Sequence, residues 1–538
     1  TLSGGDGQDS LLGGLGADSL LGGDDNDILV VEDTDARIDG GANIVVLVDA
    51  RVLDGGTGGD TAQFAKGISA SNLLNEDLVE IERIDITNTT TDETYDFSAQ
   101  VEALIIKGNS RNDTIIGTRD WDAIRAGAGN DTLYGGQGRD QFNVDAGHDT
   151  IADLEVREGL YIAAGASATA TGVLDYSLMN IWGDGVLNIN GTDGADSING
   201  SAIDDSILGG LGNDTIYGNA GDDTLVGGAG IDKLYGGDGD DVFLIPVLSD
   251  IDGLAETIDG GNEVLGDKIV LGASGAVNLS LATIVEVERL DYHSGGNDVR
   301  VAASQIGAAD GQIHTITGGA GADTLRTIDA TLDLNGVTIT GIENLNLTAT
   351  GPTTLYIDDE DLGAGKITTI SSADAAGIDA LVTDDATLNV EDVTLTNIDT
   401  LESTASASAV ITVADSQLRG SGVTTITVAD DGVNPDVLQT NDSTLNLVGV
   451  TLNNIDKLVL DADNNGGNDT LTLNSADLAG LSAIEASADG NNNKVTTPDA
   501  DLDVDLIDLT NIDTLESTFA GTSIVTLRNN QLGEPGGV

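Results

Sequence analysis

The sequence predicts an all-β fold, an elongated parallel β-solenoid with very little helix. In the first half of the 538-residue chain, a nine-residue unit built on glycine and aspartate recurs in tandem. In the second half, a longer unit recurs with a period of about 57 residues. The chain has only two Trp, eight Tyr and five Phe. We therefore expect a thin, aliphatic core of the kind that stacked repeats build.

The charge and composition exclude several classes of protein. Asp and Glu outnumber Lys and Arg by 92 to 20, which gives a formal net charge of −72. A nucleic-acid-binding protein needs a basic surface to displace counterions, and this composition does not supply one. The chain has no Cys, which excludes disulfides, zinc fingers and Cys nucleophiles. It also has no apolar run of about 18 residues, so no membrane span is predicted.

The nine-residue unit forms three tandem blocks. They fill residues 4–30, 108–152 and 191–244, and single copies begin at Gly55 and Gly318. Glycines at positions 1, 2 and 4 of the unit allow φ > 0 and therefore a tight turn. The residues after the Asp at position 6 predict a short strand with one large apolar side chain in the core. Those side chains include Leu11, Leu20, Ile115, Leu133, Ile216 and Leu225.

The loops offer oxygen atoms to a metal ion. Inward-pointing carbonyls and the position-6 carboxylate suit a hard cation, for which calcium is the natural choice. Softer metals prefer His or Cys, and the three histidines, His148, His293 and His314, are too dispersed to form a site.

The unit GGxGxDxUx resembles the nonapeptide of the RTX (repeats-in-toxin) calcium-binding family. The resemblance covers under a quarter of the chain and gains its specificity from the tandem phase. It implies a right-handed parallel β-roll in which two nonapeptides make one turn and each calcium ion is shared by one repeat and the next but one. On that rule the three blocks would hold one, three and four ions, about eight Ca²⁺ in all.

The resemblance assigns the position-6 carboxylates as metal ligands. They are Asp9, Asp18, Asp27, Asp113, Asp122, Asp131, Asp140, Asp149, Asp196, Asp205, Asp214, Asp223, Asp232 and Asp241. The units that contain Asp122, Asp149 and Asp205 lack one or two of the glycines, so we expect them to bind calcium weakly or not at all. The lone copies, which contain Asp60 and Asp323, are interpreted as plain Gly-Asp turns.

The second repeat predicts short strands from residue 331 onward. Alternating apolar and β-branched residues are typical of strands, and the Asn, Asp and Gly between them predict turns. Ile342, Ile398, Ile455 and Ile512 occupy equivalent places in this repeat. At about 19 residues per coil, one period would make three coils of a solenoid. Immunoglobulin-like sandwiches also use such strands, but the period is too short and the aromatic core is missing.

These patterns divide the chain into seven predicted segments. They are 1–63 (first nonapeptide block and first coils), 64–107 (solenoid linker), 108–152 (second block), 153–190 (connecting β segment), 191–244 (third block), 245–330 (transitional solenoid with a lone copy) and 331–538 (solenoid of about 57-residue repeats). We expect at most single helical turns, for example at residues 475–478.

The combination of the two repeats is similar to calcium-dependent surface-layer proteins and large adhesins that Gram-negative bacteria export by type I secretion. It implies an extracellular, cell-surface protein that folds on calcium. The expected function is self-assembly into a surface layer or filament, with copies of itself as partners through solenoid ends or edges and cell-surface polysaccharide as a further partner. The alternative is a calcium-stiffened adhesin for carbohydrate, ice or another cell, with Thr394, Thr396 and Thr400 as a candidate binding ladder.

A carbohydrate-active enzyme is the remote alternative, and no catalytic residue is predicted. The chain has no HExxH motif, and the sequence GASAT from Gly165 lacks the last glycine of GxSxG. His148 beside Asp149 is interpreted as a turn residue near calcium. Paired carboxylates of a glycoside hydrolase stay open, because Asp is abundant throughout the chain.

Overall fold

The computed structural model describes most of the chain from residue 83 to residue 528 and short strands before it. The described ranges are 2–6, 9–12, 19–24, 28–31, 37–39, 44–47, 53–54, 61–64, 78–79, 83–86, 92, 94–101, 103–154, 158–163, 166–170, 180–251, 255–262, 265–309, 311–363, 365–373, 378–418, 422–429, 432, 435–462, 468–488 and 492–528. The chain divides into two units. Unit 1 comprises Thr1–Leu244 and Thr257–Asp267, and unit 2 comprises Ile245–Glu256 and Lys268–Val538. The division into seven segments stays a prediction.

Unit 1 is built from parallel sheets whose strands come from successive coils. One sheet has the order Leu2–Asp6, Ser19–Asp24, Arg37–Asp39, Leu53–Asp54 and Leu78–Val79. A second has the order Ser10–Leu12, Ile28–Val31, Ile44–Leu47, Thr61–Phe64, Arg83–Asp85, Ile105–Lys107, Ala123–Arg125, Gln141–Val144, Gly159–Ile162 and Asn180–Gly183.

Two further sheets complete unit 1. One has the order Thr94–Asp96, Thr114–Ile116, Thr132–Tyr134, His148–Ile151, Ser167–Ala170, Val186–Asn190, Asp205–Leu211, Thr224–Ala229 and Val242–Ile245. The other has the order Ser197–Asn199, Thr215–Ala220, Lys233–Asp238 and Thr257–Asn262. Strands therefore alternate between facing sheets along the chain, as in a β-roll.

The register confirms that two nonapeptides make one turn. Ile115 pairs with Leu133, and Ile216 pairs with Leu234, each eighteen residues later. The predicted core side chains Ile115, Leu133, Ile216 and Leu225 are buried. Leu11 is half-buried, and the side chain of Leu20 lies outside the described residues. A row of one apolar side chain per coil thus forms the core, which the alternation of strand side chains predicts.

Unit 2 continues the parallel pairing in sheets that start once per repeat. Their orders are Lys268–Leu271, Arg289–Asp291, Thr315–Thr317 and Thr338–Thr340; Gly275–Asn278, Asn297–Val301, Thr324–Thr327, Asn344–Leu347, Thr369–Ser372 and Thr394–Thr396; Thr331–Asp333, Thr354–Tyr356, Ala380–Thr383, Thr400–Ser403, Thr425–Val428 and Thr451–Asn453; Thr387–Asn389, Val410–Thr412, Val437–Gln439, Lys457–Val459, Ala483–Glu485 and Asp508–Thr510; Thr444–Asn446, Thr470–Thr472, Lys494–Thr497 and Thr514–Ser517; and Asp501–Asp503 with Ile524–Thr526. Thr283–Val285 is a further strand of this unit.

The coils of unit 2 are longer than predicted. Coil length is the number of residues between strand partners in successive coils. It is 20 residues from Ala380 to Thr400 and 27 residues from Val410 to Val437. The extra residues lie in turns between the strands, including the 3₁₀ helices Leu248–Asp250, Ala303–Gln305, Asp359–Asp361, Asp415–Leu418 and Ser475–Leu478. The prediction of three coils per period is therefore wrong, and each period instead begins a new sheet.

The equivalent isoleucines of the second repeat are core residues. Ile342, Ile398, Ile455 and Ile512 are all buried. The residue before three of them is an asparagine with positive φ, namely Asn397, Asn454 and Asn511, a conformation that Asn tolerates better than most residues. Each of these side chains donates a hydrogen bond to a backbone carbonyl of an earlier coil. The asparagine therefore turns the chain and joins two coils.

The low helix content agrees with the prediction, and Ser475–Leu478 forms the expected single turn. Parallel pairing rules out the immunoglobulin-like alternative, whose sheets are antiparallel. Among the described residues, no helix has the length and apolar character needed to cross a membrane.

Candidate calcium-binding loops

The position-6 aspartates form a ladder along each edge of unit 1. In the second block, the N–H of Asp113 donates to Oδ1 of Asp131 at 2.7 Å, and the N–H of Asp131 donates to Oδ1 of Asp149 at 2.9 Å. On the other edge, the N–H of Asp122 donates to Oδ1 of Asp140 at 2.7 Å. Each carboxylate therefore accepts the amide of its counterpart one coil earlier.

The third block repeats this arrangement over more coils. The N–H groups of Asp196 and Asp214 donate to Oδ1 of Asp214 and Asp232, both at 2.8 Å. On the opposite edge, Asp205 donates to Asp223 at 2.7 Å and Asp223 to Asp241 at 2.8 Å. The ladder ends where the N–H of Asp241 donates to Oδ1 of Asp267 at 2.5 Å.

The second oxygen of several of these carboxylates is buried without a hydrogen-bond partner. This is the case for Oδ2 of Asp131, Asp149, Asp214, Asp223 and Asp241. The side chains are almost completely buried, with Asp149 and Asp223 at 0% exposure. Buried carboxylate oxygens without partners are rare in folded proteins, because desolvation of a charge is costly. These oxygens therefore need a proton or a cation.

Burial raises the pKa of the carboxyl groups along the ladders. It raises the pKa of Asp131 and of Asp205 to about 7. The pKa of Asp223 rises to about 9, because burial is joined by the negative charges of Asp205 and Asp241 in the neighbouring coils. Without a cation, ionised carboxylates whose second oxygen has no partner, such as those of Asp131 and Asp223, destabilise the fold.

The glycine at position 1 is required by crowding and not by positive φ. Glycines with positive φ stand at positions 2 and 4, for example Gly210 and Gly212. At position 1, a Cβ on Gly218 would lie 2.1 Å from Oδ2 of Asp223 and 2.6 Å from the carbonyl oxygen of Gly236. The expectation that all three glycines allow φ > 0 is therefore wrong for position 1, where two oxygen atoms converge on the space that a side chain would take.

Sequence reasoning missed a second ladder, formed by Asn and Asp at position 5. The side-chain oxygen of Asn130 accepts the N–H of His148 at 3.0 Å. In the third block, Oδ1 of Asp204 accepts the N–H of Asp222, and Oδ1 of Asp222 accepts the N–H of Asp240, both at 2.9 Å. The preference for Asn or Asp at position 5 was the available signal. These side chains join successive loops at the exposed rim.

The structure places most of the fourteen predicted ligands in these ladders. Asp113, Asp122, Asp131, Asp140, Asp149, Asp205, Asp214, Asp223, Asp232 and Asp241 are buried. Asp9 and Asp196 are half-buried. Asp18, Asp27 and the lone-copy Asp60 lie outside the described residues.

A protein-family model describes the same loops. The model for the RTX calcium-binding nonapeptide repeat (4 copies) matches residues 1–30, 105–129, 116–151, 190–225, 217–244 and 315–327. The chain carries RTX calcium-binding repeats. No curated protein matches the chain. RTX repeats are typical of secreted proteins.

The RTX loops fit calcium by the chemistry of their donors. Carboxylate and carbonyl oxygens are the ligands that Ca²⁺ prefers, and the Gly218 loop brings Oδ2 of Asp223 and the carbonyl of Gly236 to one place. Across the second and third blocks, the aspartates with an unpartnered carboxylate oxygen are Asp131, Asp149, Asp214, Asp223 and Asp241. A bound ion would supply positive charge that neutralises carboxylates of adjacent coils.

The lone copy at Gly318, predicted to be a plain Gly-Asp turn, lies in a segment that the RTX family model also matches, residues 315–327. Oδ1 of Asp323 accepts the N–H of Asn297 at 2.6 Å, and Oδ2 accepts the N–H of Gly319 at 2.7 Å. Both carboxylate oxygens therefore have backbone partners. Asp399 and Asp456 each accept one backbone N–H of an earlier coil in the same way.

A group of acidic side chains in unit 2 has a structural explanation. Asp358, Asp384 and Asp385 each place one oxygen within 4.8 Å of the others, the one such group found among the described residues. Oδ2 of Asp358 accepts the N–H of Gly336, and Oδ2 of Asp385 accepts the N–H of Asp359. Asp329, Asp442 and Asp499 accept the first N–H of the equivalent 3₁₀ turn in other periods.

Two smaller sequence interpretations need correction. His148 is the first residue of strand His148–Ile151, not a turn residue, and its ring nitrogens contact the hydroxyls of Ser167 and Thr169 at 2.6 and 3.0 Å. Thr394 and Thr396 belong to one sheet and Thr400 to another. These three threonines therefore do not form one binding ladder.

Proposed function

We propose that this protein is a secreted calcium-binding β-roll protein that folds outside the cell and self-assembles into an extracellular layer or filament. The main observation in support of calcium binding is the row of buried, unpartnered carboxylate oxygens at Asp131, Asp149, Asp214, Asp223 and Asp241. Because such a site does not exist in an unfolded chain, ion binding and folding are coupled.

The difference in calcium between compartments supports export before folding. Cytosolic free calcium is low, and the exterior offers far more of it. With ionised carboxylates in adjacent coils, the third RTX block is destabilised until an ion binds. The chain then stays unfolded inside and folds on release, a course that fits type I secretion.

The surface chemistry supports assembly. About eight Ca²⁺ ions would neutralise only about 16 of the 72 excess negative charges, so acidic surface is left for ions that bridge neighbouring molecules. Large side chains are also exposed on the sheets of the third RTX block. Tyr217 and Tyr235 stack in neighbouring coils with ring centroids 4.8 Å apart, and Tyr217 and Leu208 are 38% and 43% exposed. Outward aromatic and aliphatic side chains of this kind favour contacts between copies.

Electron microscopy and sedimentation velocity test this function. Purified protein is examined in millimolar CaCl₂, in the same concentration of MgCl₂, and in chelator. We expect ordered polymers in calcium, and dispersed material in magnesium and in chelator. Ordered polymers in chelator would remove calcium from the mechanism.

A second outcome separates assembly from adhesion. A folded monomer in calcium that binds a glycan on an array would favour the adhesin over the layer. The double variant Tyr217→Ser with Tyr235→Ser tests the contact surface, with Tyr356→Ser as the control in unit 2. We expect the double variant to bind calcium normally and to polymerise less.

A further inference from the structure

The residue at position 2 of an RTX unit determines whether the second carboxylate oxygen has a partner. In the unit of Asp122, Oδ2 accepts the N–H of Thr118 at 2.6 Å and its hydroxyl at 3.1 Å. In the unit of Asp205, Oδ2 accepts the N–H of Ser201 at 2.6 Å and its hydroxyl at 3.1 Å. We call loops of this kind closed, because the loop's own donors occupy the oxygen.

Two more units close their loops in this way. Oδ2 of Asp196 accepts the N–H of Thr192 at 2.6 Å and its hydroxyl at 2.9 Å. Oδ2 of Asp113 accepts the side-chain amide of Asn109 at 2.5 Å. Nothing in the consensus glycines at positions 1 and 4 distinguishes the unit of Asp196, GTDGADSIN, from a regular RTX unit.

In the open loops, the position-2 backbone takes the opposite conformation. Gly127, Gly210 and Gly237 have positive φ and precede Asp131, Asp214 and Asp241, whose Oδ2 has no partner. Asn219 also has positive φ, at 83°, and Oδ2 of Asp223 is likewise unpartnered.

In these units the backbone conformation at position 2 accounts for the difference. Thr and Ser avoid positive φ because of their Cβ, so the N–H of Thr118, Thr192 or Ser201 stays directed at the carboxylate. Gly319 supports this interpretation. It is a glycine without positive φ, and its N–H donates to Oδ2 of Asp323 as the threonines do.

Asp149 is open for a different reason. Its unit has Asp145 at position 2, a residue without positive φ, whose side chain has no hydrogen to donate and pairs with Arg125 at 2.5 Å. Oδ2 of Asp149 is therefore unpartnered although the first two glycines of the unit are missing. The number of glycines in a unit therefore does not predict whether Oδ2 of its position-6 aspartate has a hydrogen-bond partner.

We propose that the position-2 residue selects which RTX loops take calcium. The open loops of Asp131, Asp149, Asp214, Asp223 and Asp241 bind ions through Oδ2. The closed loops of Asp113, Asp122, Asp196 and Asp205 replace the ion by internal hydrogen bonds. The inference rests on the proposed function for the binding of calcium itself.

The placement of the closed loops gives them a role in assembly of the β-roll. They are the first loops on both edges of the second block (Asp113 and Asp122) and of the third block (Asp196 and Asp205). The first turn of each block therefore has its carboxylates satisfied without calcium, and it offers a preformed template on which the calcium-dependent turns stack.

Two matched aspartates test the inference. Asp205 and Asp223 lie on the same edge in adjacent coils, and each is replaced by Asn in the full chain, which keeps an oxygen for the ladder. Bound calcium per chain is measured by equilibrium dialysis and elemental analysis. We expect Asp223→Asn to lose at least one ion and Asp205→Asn to bind as many ions as the wild type. The pair Asp131→Asn and Asp122→Asn repeats the comparison in the second block.

Glycine substitutions provide the converse test. Thr192→Gly and Ser201→Gly remove the hydroxyl and permit positive φ, so each is expected to gain calcium binding. Far-UV circular dichroism in saturating calcium verifies that every variant folds. Equal losses from Asp205→Asn and Asp223→Asn, or no gain in either glycine variant, would overturn the inference. A wild-type chain that binds no calcium would instead refute the proposed function.

Discussion

The backbone amide of Asp205 donates a hydrogen bond to Oδ1 of Asp223, which lies eighteen residues later and one coil further along the β-roll. Oδ2 of the same Asp223 is buried without a partner. One carboxylate therefore has two tasks. Its first oxygen fixes the register of adjacent coils, and its second oxygen is available to an ion.

The crowding at position 1 predicts a large effect of a single methyl group. Gly218→Ala would place a Cβ 2.1 Å from Oδ2 of Asp223 and 2.6 Å from a backbone carbonyl. We expect a loss of roughly 1–3 kcal/mol in unfolding free energy in calcium, as for other overpacked sites, together with weaker calcium binding. Urea unfolding and a calcium titration measure the two effects.

Gly194→Ala is the matched control for that substitution. The nearest atom to its added Cβ is Oγ1 of Thr192 at 3.6 Å, an ordinary contact. It is expected to change neither quantity by much. Equal behaviour of the two alanine variants would contradict the role given to position 1.

A buried glutamine joins coils in unit 2. The side-chain amide of Gln417 donates to the carbonyls of Val390 and Val393, and its oxygen accepts the N–H of Ala414. Gln417→Ala removes a donor from two buried carbonyls, of which that of Val390 keeps the N–H of Val393, so a loss of roughly 1–3 kcal/mol is expected. Urea unfolding in saturating calcium checks this. Gln312→Ala, which removes an exposed hydrogen bond to Ser304, is the control and should have little effect.

Asp361 makes stability depend on pH. It is the third residue of its 3₁₀ turn, the place that Gln305 and Gln417 occupy in theirs, but its Oδ2 is buried without a partner. Burial, followed by the charges of Asp358 and Glu360, raises its pKa from 3.8 to about 7. The folded chain therefore holds this proton more tightly than the unfolded chain. The resulting stability is complete below about pH 4 and is lost as the pH rises to about 7.

The variant Asp361→Gln isolates that contribution. The glutamine restores the amide donor of the equivalent turns and cannot ionise. We expect it to be more stable than the wild type at pH 8, with a difference that shrinks as the pH falls from 7 toward 4. Thermal unfolding across this range measures the difference, and a difference independent of pH would show that Asp361 does not titrate in this way.

The periodic parts of the fold were predictable because they depend on local rules. The nine-residue spacing of Ile115 and its counterparts predicts one core side chain per strand, and two units per turn came from the family resemblance. Ile398 and Ile455 were identified as equivalent positions from the period of the second repeat alone, and both are core residues. Side-chain alternation and turn residues determine these features, and both can be identified from the amino-acid sequence.

The connections between coils were not predictable in the same way. The coil length depends on how many residues the turns contain. The sequence of a turn such as Asp415–Leu418 does not indicate its length. Gln417 has the appearance of an ordinary surface residue until its partners 24 and 27 residues earlier are known. The same holds for Thr192, whose hydroxyl closes a loop that otherwise has the glycines of an open one.

Hydrogen exchange read peptide by peptide, with and without calcium, tests the calcium-dependent ladder most directly. The amides of Asp205, Asp214 and Asp223 donate within the ladder, whereas strand Thr400–Ser403 in unit 2 pairs through its backbone with Thr425–Val428. We predict that peptides covering 205–241 are protected in calcium and exchange rapidly in chelator, while peptides covering 387–459 stay protected in both. Equal protection of residues 205–241 with and without calcium would contradict the account.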